Sequence, residues 1–198
     1  MKNNILQIVS YNCQGLNSVE KLRDVFDYLK SKNCNIYSLQ DTHFTKNDET
    51  AIINQWGGKC IFNALISNQR GVAILLSNNF EYKISNTKKD DCGNLLGVDI
   101  EIEGKTITLI NIYGPNNDTP LFYNKVSESI EYFNNHSTIL TGDYSLVQDQ
   151  IWDIYTYVGI NNPKAKDKVL DRIEIYNLTD PLKWVRKISM FDMTKLQM

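Results

Sequence analysis

At 198 residues the chain is long enough for one domain with a sizeable core. Hydrophobic residues make up 42% and charged residues 22%, and the formal net charge is -2, so there is no basic field to recruit a polyanion and any contact with nucleic acid must come from local groups and a metal ion. Cys13, Cys34, Cys60 and Cys92 stand far apart with no CxxC pair, which argues against a zinc site and suits a reduced intracellular protein, cytoplasmic or nuclear, while no apolar run approaches the ~20 residues of a membrane helix.

Residues 5–10 are compact and β-branched, a buried strand too short for a signal peptide. Leu22, Val25, Phe26 and Leu29 recur at helical spacing behind Ser18, a helix cap. A second strand covers 35–40, and a short helix over 49–56 is stopped by Gly57-Gly58. Strands follow at 59–65 and 71–76. Over 96–113 the pattern is a hairpin: Val98, Ile100 and Ile102 alternate with acids, the chain turns at Glu103-Gly104, and Ile107, Leu109 and Asn111 alternate back. Then come a loop at Gly114-Pro115, an amphipathic helix at 121–133, a short strand at 138–140 and a last helix at 165–176. The order is not strictly βαβα, and the hairpin is antiparallel. One α/β domain covers residues 1–198, a layered sandwich of mixed sheets with interspersed helices.

Polar residues at the ends of buried strands are the candidates for chemistry, because a strand end holds a side chain rigidly at a cleft. Asn12 follows the first strand and can both donate and accept. Asp41 follows the second and is the kind of carboxylate that a hard divalent ion takes. Tyr113 could hydrogen-bond a phosphoryl oxygen. Asp143, behind Gly142, stands where a general base would be placed. Each also has an ordinary structural use: a turn starter, a cap, a core tyrosine, a turn acid.

Taken in order, YNCQGLN, LQDTHF, RGVAIL, NIYGPN and TGDYSLV form a set that resembles the endonuclease/exonuclease/phosphatase superfamily. Trp56-Gly57-Gly58, Asn68 through Leu75, and Asn161 through Ala165 are similar to the endonuclease domains of LINE-type (non-LTR) retrotransposons. The resemblance implies a deoxyribonuclease I-like fold, a two-layer mixed β-sandwich flanked by helices. It also implies phosphodiester hydrolysis with Mg²⁺, or Mn²⁺, on DNA. Residue by residue it places Asn12 at the metal and phosphate, Asp41 on the metal, Tyr113 on the scissile phosphate, Asp143 on the attacking water and Ser145 beside the phosphate. His43, Arg70 and Asn116 are its DNA-contact candidates. A reverse transcriptase domain in a longer parent polyprotein is the implied partner, with no membrane association.

The sequence departs from the family pattern in ways that matter. Asp41 replaces a Glu and is one methylene shorter, about 1–1.5 Å of reach, where a ~1 Å misplacement can cost on the order of a hundredfold in rate. Ser145 replaces an Asn, and loss of one preorganised donor typically costs about 10²–10³. Tyr144 stands for Phe. The family's Ser-Asp-His motif has no match, and Phe191-Asp192-Met193-Thr194 reads as a degenerate final strand. The expectation is therefore a domain cut short at its C-terminus, missing its last strands, with impaired nicking activity. His136 precedes Asp143 by seven positions, roughly 23 Å along a strand, at the wrong end of the sheet to substitute. His43 is expected at the rim. The alternatives are a catalytically dead retroelement remnant with at most weak DNA binding, and another phosphoesterase of the same superfamily.

Overall fold

The structure, a computed structural model, describes residues 5–65, 69–146 and 162–180. Its elements in chain order are β1 (Ile8–Asn12), α1 (Val19–Ser31), β2 (Ile36–Gln40), a 3₁₀ turn at Lys46–Asp48, α2 (Glu49–Trp56), β3 (Lys59–Asn63), β4 (Val72–Leu76), β5 (Lys83–Lys89), β6 (Leu95–Ile102), β7 (Lys105–Tyr113), α3 (Pro120–Phe133), β8 (Thr138–Asp143) and α4 (Pro163–Ile175). The strands form two four-stranded mixed sheets, in the orders β1-β2-β4-β3 and β5-β6-β7-β8. In each, one pair is parallel: β1 with β2, and β7 with β8.

Three apolar layers account for the packing. Phe26 and Leu29 of α1 and Ile52 and Trp56 of α2 cover Tyr37, Leu39, Ala73 and Leu75 on the outer face of the first sheet. Ile36, Ile74 and Leu76 meet Leu96, Val98, Ile100 and Leu109 between the sheets. Tyr123, Val126, Ile130 and Phe133 of α3, with Ala165 and Val169 of α4, cover the outer face of the second sheet. Both faces of each sheet are thus buried, which is why 72–76 reads as an unbroken apolar run. The expected two-layer sandwich with flanking helices is the observed one.

The boundaries differ in places that bear on function. The first strand runs over Ile8–Asn12 rather than 5–10: Ile5 is exposed, and the parallel register Ile8↔Ile36 to Asn12↔Gln40 carries pairing two residues further. The strand expected at 138–140 extends to Asp143, paired opposite Tyr113. Both candidate residues are therefore inside strands instead of in the loops beyond. The strand expected over 59–65 stops at Asn63, which pairs with Val72 and whose side-chain amide donates to the carbonyls of Asp90 and Leu95. β5 was not expected from the sequence. It is an edge strand with alternating half-buried residues, and after Ile84 its inward positions are Asn86 and Lys88, with a register shift between Ile84 and Asn86. The strand expected at 191–194 lies outside the described residues.

Candidate active site

The inter-sheet face of four strands shows how the chain builds a cleft. Residues two apart on a strand share a face. β1 presents Ile8, Ser10 and Asn12; β7 presents Leu109, Asn111 and Tyr113; β8 presents Ile139, Thr141 and Asp143. Each strand runs from apolar, through a small or amide residue, to a candidate site residue at its C-terminal end. β2 begins the same way with Ile36, Ser38 and Gln40, then departs from extended geometry, since Asp41 has φ +52°. This left-handed kink ends the alternation and lets Asp41 face Tyr113 on the second sheet. Asp and His tolerate that backbone better than most residues, and His43, at φ +58°, repeats it.

Asn12, Asp41, Tyr113 and Asp143 converge at this end of the sandwich. Asn12 Nδ2 donates to Asp143 Oδ2 at 2.6 Å, and the Ser145 amide donates to Oδ1 at 2.8 Å, so both carboxylate oxygens are held by donors and keep lone pairs for a further partner. The Asn12 side-chain Oδ1 accepts from the Gln14 backbone amide at 3.1 Å. Burial, the carboxylates of Asp41 and Asp143, and a hydrogen bond to Asp41 push the Tyr113 phenol above its usual pKa, against a smaller opposing effect of Arg70. Tyr113 therefore stays a neutral donor at physiological pH. Gly142 makes the close packing of β8 on β7 feasible: at φ +145°, a Cβ there would sit 2.1 Å from the Ile112 carbonyl oxygen.

His43 stands beside Asp41 and is partly exposed. Its Nε2 lies 3.0 Å from Asp41 Oδ1, with the side chain 25% exposed, and its backbone amide donates to the Arg70 carbonyl at 2.6 Å. Gly15 leaves room for the ring, since a Cβ there would lie 2.8 Å from His43 Nδ1. Arg70 is exposed, at φ +60°. Asn116 is exposed, and its carbonyl accepts from the buried Asn162 amide at 3.3 Å, as does the Ser145 carbonyl. Ser145, at φ +50°, turns its hydroxyl away to donate to the Gly114 carbonyl at 3.0 Å. His136 precedes β8 at the end opposite Asp143, as expected.

The donors available are carboxylate and amide oxygens. Two carboxylates face one phenol, and among the described residues no group of three or more His, Cys, Asp and Glu forms a closed cage. That set fits a hard divalent cation such as Mg²⁺, which takes one or two protein carboxylates and fills its other positions with water and phosphate.

Beneath the site lies a polar layer that the sequence reasoning did not single out. Gln40 Nε2 donates to Asn111 Oδ1 at 2.7 Å and lies 3.1 Å from both Ser10 Oγ and the Ser38 carbonyl. Asn111 Nδ2 donates to the carbonyls of Leu39 and Ala73, each at 2.9 Å. Thr141 Oγ1 donates to Ser38 Oγ at 2.8 Å. The signal was present: a polar residue at the inward position of each otherwise apolar strand.

No family model matches the chain. It is 26% identical over 147 residues to a transposon TX1 uncharacterized 149 kDa protein of Xenopus laevis, an alignment covering 73% of this chain and 11% of that protein. Among solved structures it is similar to an AP endonuclease from Archaeoglobus fulgidus (TM-score 0.59, 19% identity, 84% of this chain and 70% of that one). It is equally similar in fold to the endonuclease domain of TRAS1, a telomere-specific non-LTR retrotransposon (TM-score 0.59, 13% identity, 87% and 71%). The fold is the one these two endonuclease structures share, two mixed sheets flanked by helices. Both its nuclease neighbours and the transposon protein agree with the resemblance carried by the five motifs.

Proposed function

We propose that the chain is a divalent-metal-dependent phosphodiesterase domain that nicks DNA, of the kind carried by LINE-type retrotransposons. The observation that carries this is the convergence of Asn12, Asp41, Tyr113 and Asp143 from both sheets, with Asp143 held by two donors and Tyr113 kept protonated between two carboxylates.

Asp41, with the Asn12 amide oxygen, would hold Mg²⁺ or Mn²⁺. When bound, the cation supplies charge neutralisation at the scissile phosphate. The protein's own groups do the rest. Asp143, fixed by Asn12 and the Ser145 amide, accepts a proton from the attacking water. Tyr113 exchanges its hydrogen bond with Asp41 for one to a phosphoryl oxygen and so donates where negative charge builds up. Arg70, His43 and Asn116 line the approach for the DNA backbone. The transposon relative is far longer than this chain, and a reverse transcriptase domain in the same parent product is the partner implied.

A second proposal is that the activity is impaired, and two observations favour it. The Ser145 hydroxyl is turned to the Gly114 carbonyl, where it cannot serve a phosphate, and one oxygen of Asp41 is engaged by His43. The test is nicking of supercoiled plasmid with Mg²⁺ or Mn²⁺, beside Asp143→Ala. Slow nicking lost in the variant supports an impaired endonuclease. No nicking by a folded sample favours a remnant that at most binds DNA. Preference for abasic duplex or a phosphomonoester points to another reaction of the superfamily.

A further inference from the structure

The Ser10–Ser38–Gln40–Asn111–Thr141 layer lies one same-face position back from Asn12, Tyr113 and Asp143, and Asp41 directly follows Gln40. Asn111 precedes Tyr113 by two residues, Thr141 precedes Asp143 by two, and Ser10 precedes Asn12 by two. Apart from the Asn63 side-chain amide, which crosses from β3 to the Asp90 and Leu95 carbonyls, the contacts elsewhere between the sheets are mainly apolar and non-directional, made by Ile36, Val72, Ile74, Leu76, Leu96, Val98, Ile100 and Leu109. Such packing fixes a distance loosely along the strand axis, because one aliphatic side chain can slide past another. Hydrogen bonds have direction. Asn111 uses its oxygen and its amide nitrogen across the gap, reaching Gln40, Leu39 and Ala73, so it ties β7 to β2 and β4 at once. Thr141 ties β8 to β2 through Ser38. Asn111, Ser38 and Gln40 are all 0–1% exposed, so the Gln40–Asn111 bond and those from Asn111 to Leu39 and Ala73 form away from water and are not readily exchanged for solvent bonds, while the Thr141–Ser38 and Gln40–Ser10 contacts are part-buried.

We infer that this layer is a positioning device: the Gln40–Asn111 amide pair, with Thr141–Ser38, sets the register of the second sheet against the first and so fixes where Tyr113 and Asp143 stand relative to Asn12 and Asp41. None of the five residues touches the substrate in this scheme; they act through the strand ends. The inference rests on the proposed phosphodiesterase function for its catalytic consequence, but its structural content can be tested separately. A purely hydrophobic layer of similar volume would hold the sheets together equally well. What the amides add is geometric uniqueness at the end where two carboxylates, an amide and a phenol must meet.

The variants are Gln40→Met, which keeps volume and removes the amide pair, Thr141→Val, and the more severe Asn111→Leu. Ile52→Val, in the helix-facing layer, serves as a control that lowers stability without touching the belt. Two quantities are read: hydrogen exchange at the Tyr113, Gly114 and Ser145 amides against the interior amides of β4 and β6, and plasmid nicking resolved into kcat and DNA Kd. In Gln40→Met the three site amides should lose about tenfold more protection than the interior amides, whereas Ile52→Val lowers both sets in parallel. Nicking kcat should fall by about 10–100-fold with Kd nearly unchanged. Parallel loss at site and interior amides in all belt variants overturns the inference and makes the layer simply stabilising. If Asn111→Leu does not fold, the two milder variants decide. If the unaltered protein nicks nothing, the endonuclease proposal falls and the exchange measurement alone decides the role of the belt.

Discussion

Asp143 shows what the motif residues do not reveal by themselves. Its carboxylate is aimed by Asn12 from the other sheet and by the Ser145 backbone amide two residues on. Asn12→Ala should therefore lower kcat by roughly 10–100-fold and raise the Mg²⁺ concentration that nicking requires, because it frees one oxygen of the base and removes an amide oxygen from the proposed cation site. Ser145→Asn tests the proposed impairment. The position is left-handed, a conformation that Asn tolerates well, so the change suits the backbone and adds an amide with reach into the cleft. Nicking should rise by about tenfold or more. No gain would mean that Ser145 is not where the deficit lies. The four converging residues could be named from motif order, since each ends a strand. Their partners could not: Asn12 and Asp143 are 131 positions apart, and nothing local in either segment announces the other.

At the scale of elements, helices were read well where local chemistry decides them. Ser18 caps α1 and accepts from the Lys21 amide, and Ser18→Ala should cost about 1 kcal/mol in a denaturant titration. Strand ends were read less well, because pairing rather than propensity sets them: β8 runs on to Asp143 only because β7 is there to pair with it. That extension puts Gly142 in a position no other residue can occupy without moving backbone. Gly142→Ala should cost more than about 2 kcal/mol in chemical unfolding and abolish nicking, since the Ile112 carbonyl would be displaced along with Asp143. β5 escaped notice because, beyond Ile84, its inward positions are polar and its pairing comes entirely from β6.

For the whole molecule, the alternation of buried strands and flanking helices was enough to give the layered class, but the order of strands within the sheets was not, as it depends on which faces meet. Ionisation offers a test of the assembled core. Burial raises the Cys13 and Cys60 thiols from 9.0 to about 12, and raises the phenols of Tyr37 and Tyr113 as well. Folding thus favours the neutral forms. The associated stability is fully present below about pH 9 and drains away as pH climbs toward 12, so the melting temperature should fall steadily across that window at constant salt. A melting temperature flat to pH 11 would contradict the burial. Cys34 and Cys92 are partly exposed whereas Cys13 and Cys60 are buried, so a disulfide reagent should modify two thiols quickly and two only on unfolding.

Gln14, Asp41, His43, Arg70 and Ser145 all carry left-handed backbone around the candidate site. For ordinary side chains such as Gln14 and Arg70 that conformation costs roughly 1–2 kcal/mol each, which glycine would relieve. A library selected only for heat tolerance should therefore accumulate glycine around the cleft first and dissolve it as it hardens the rest. Side chains at those positions keep the cleft in shape at the expense of thermal robustness.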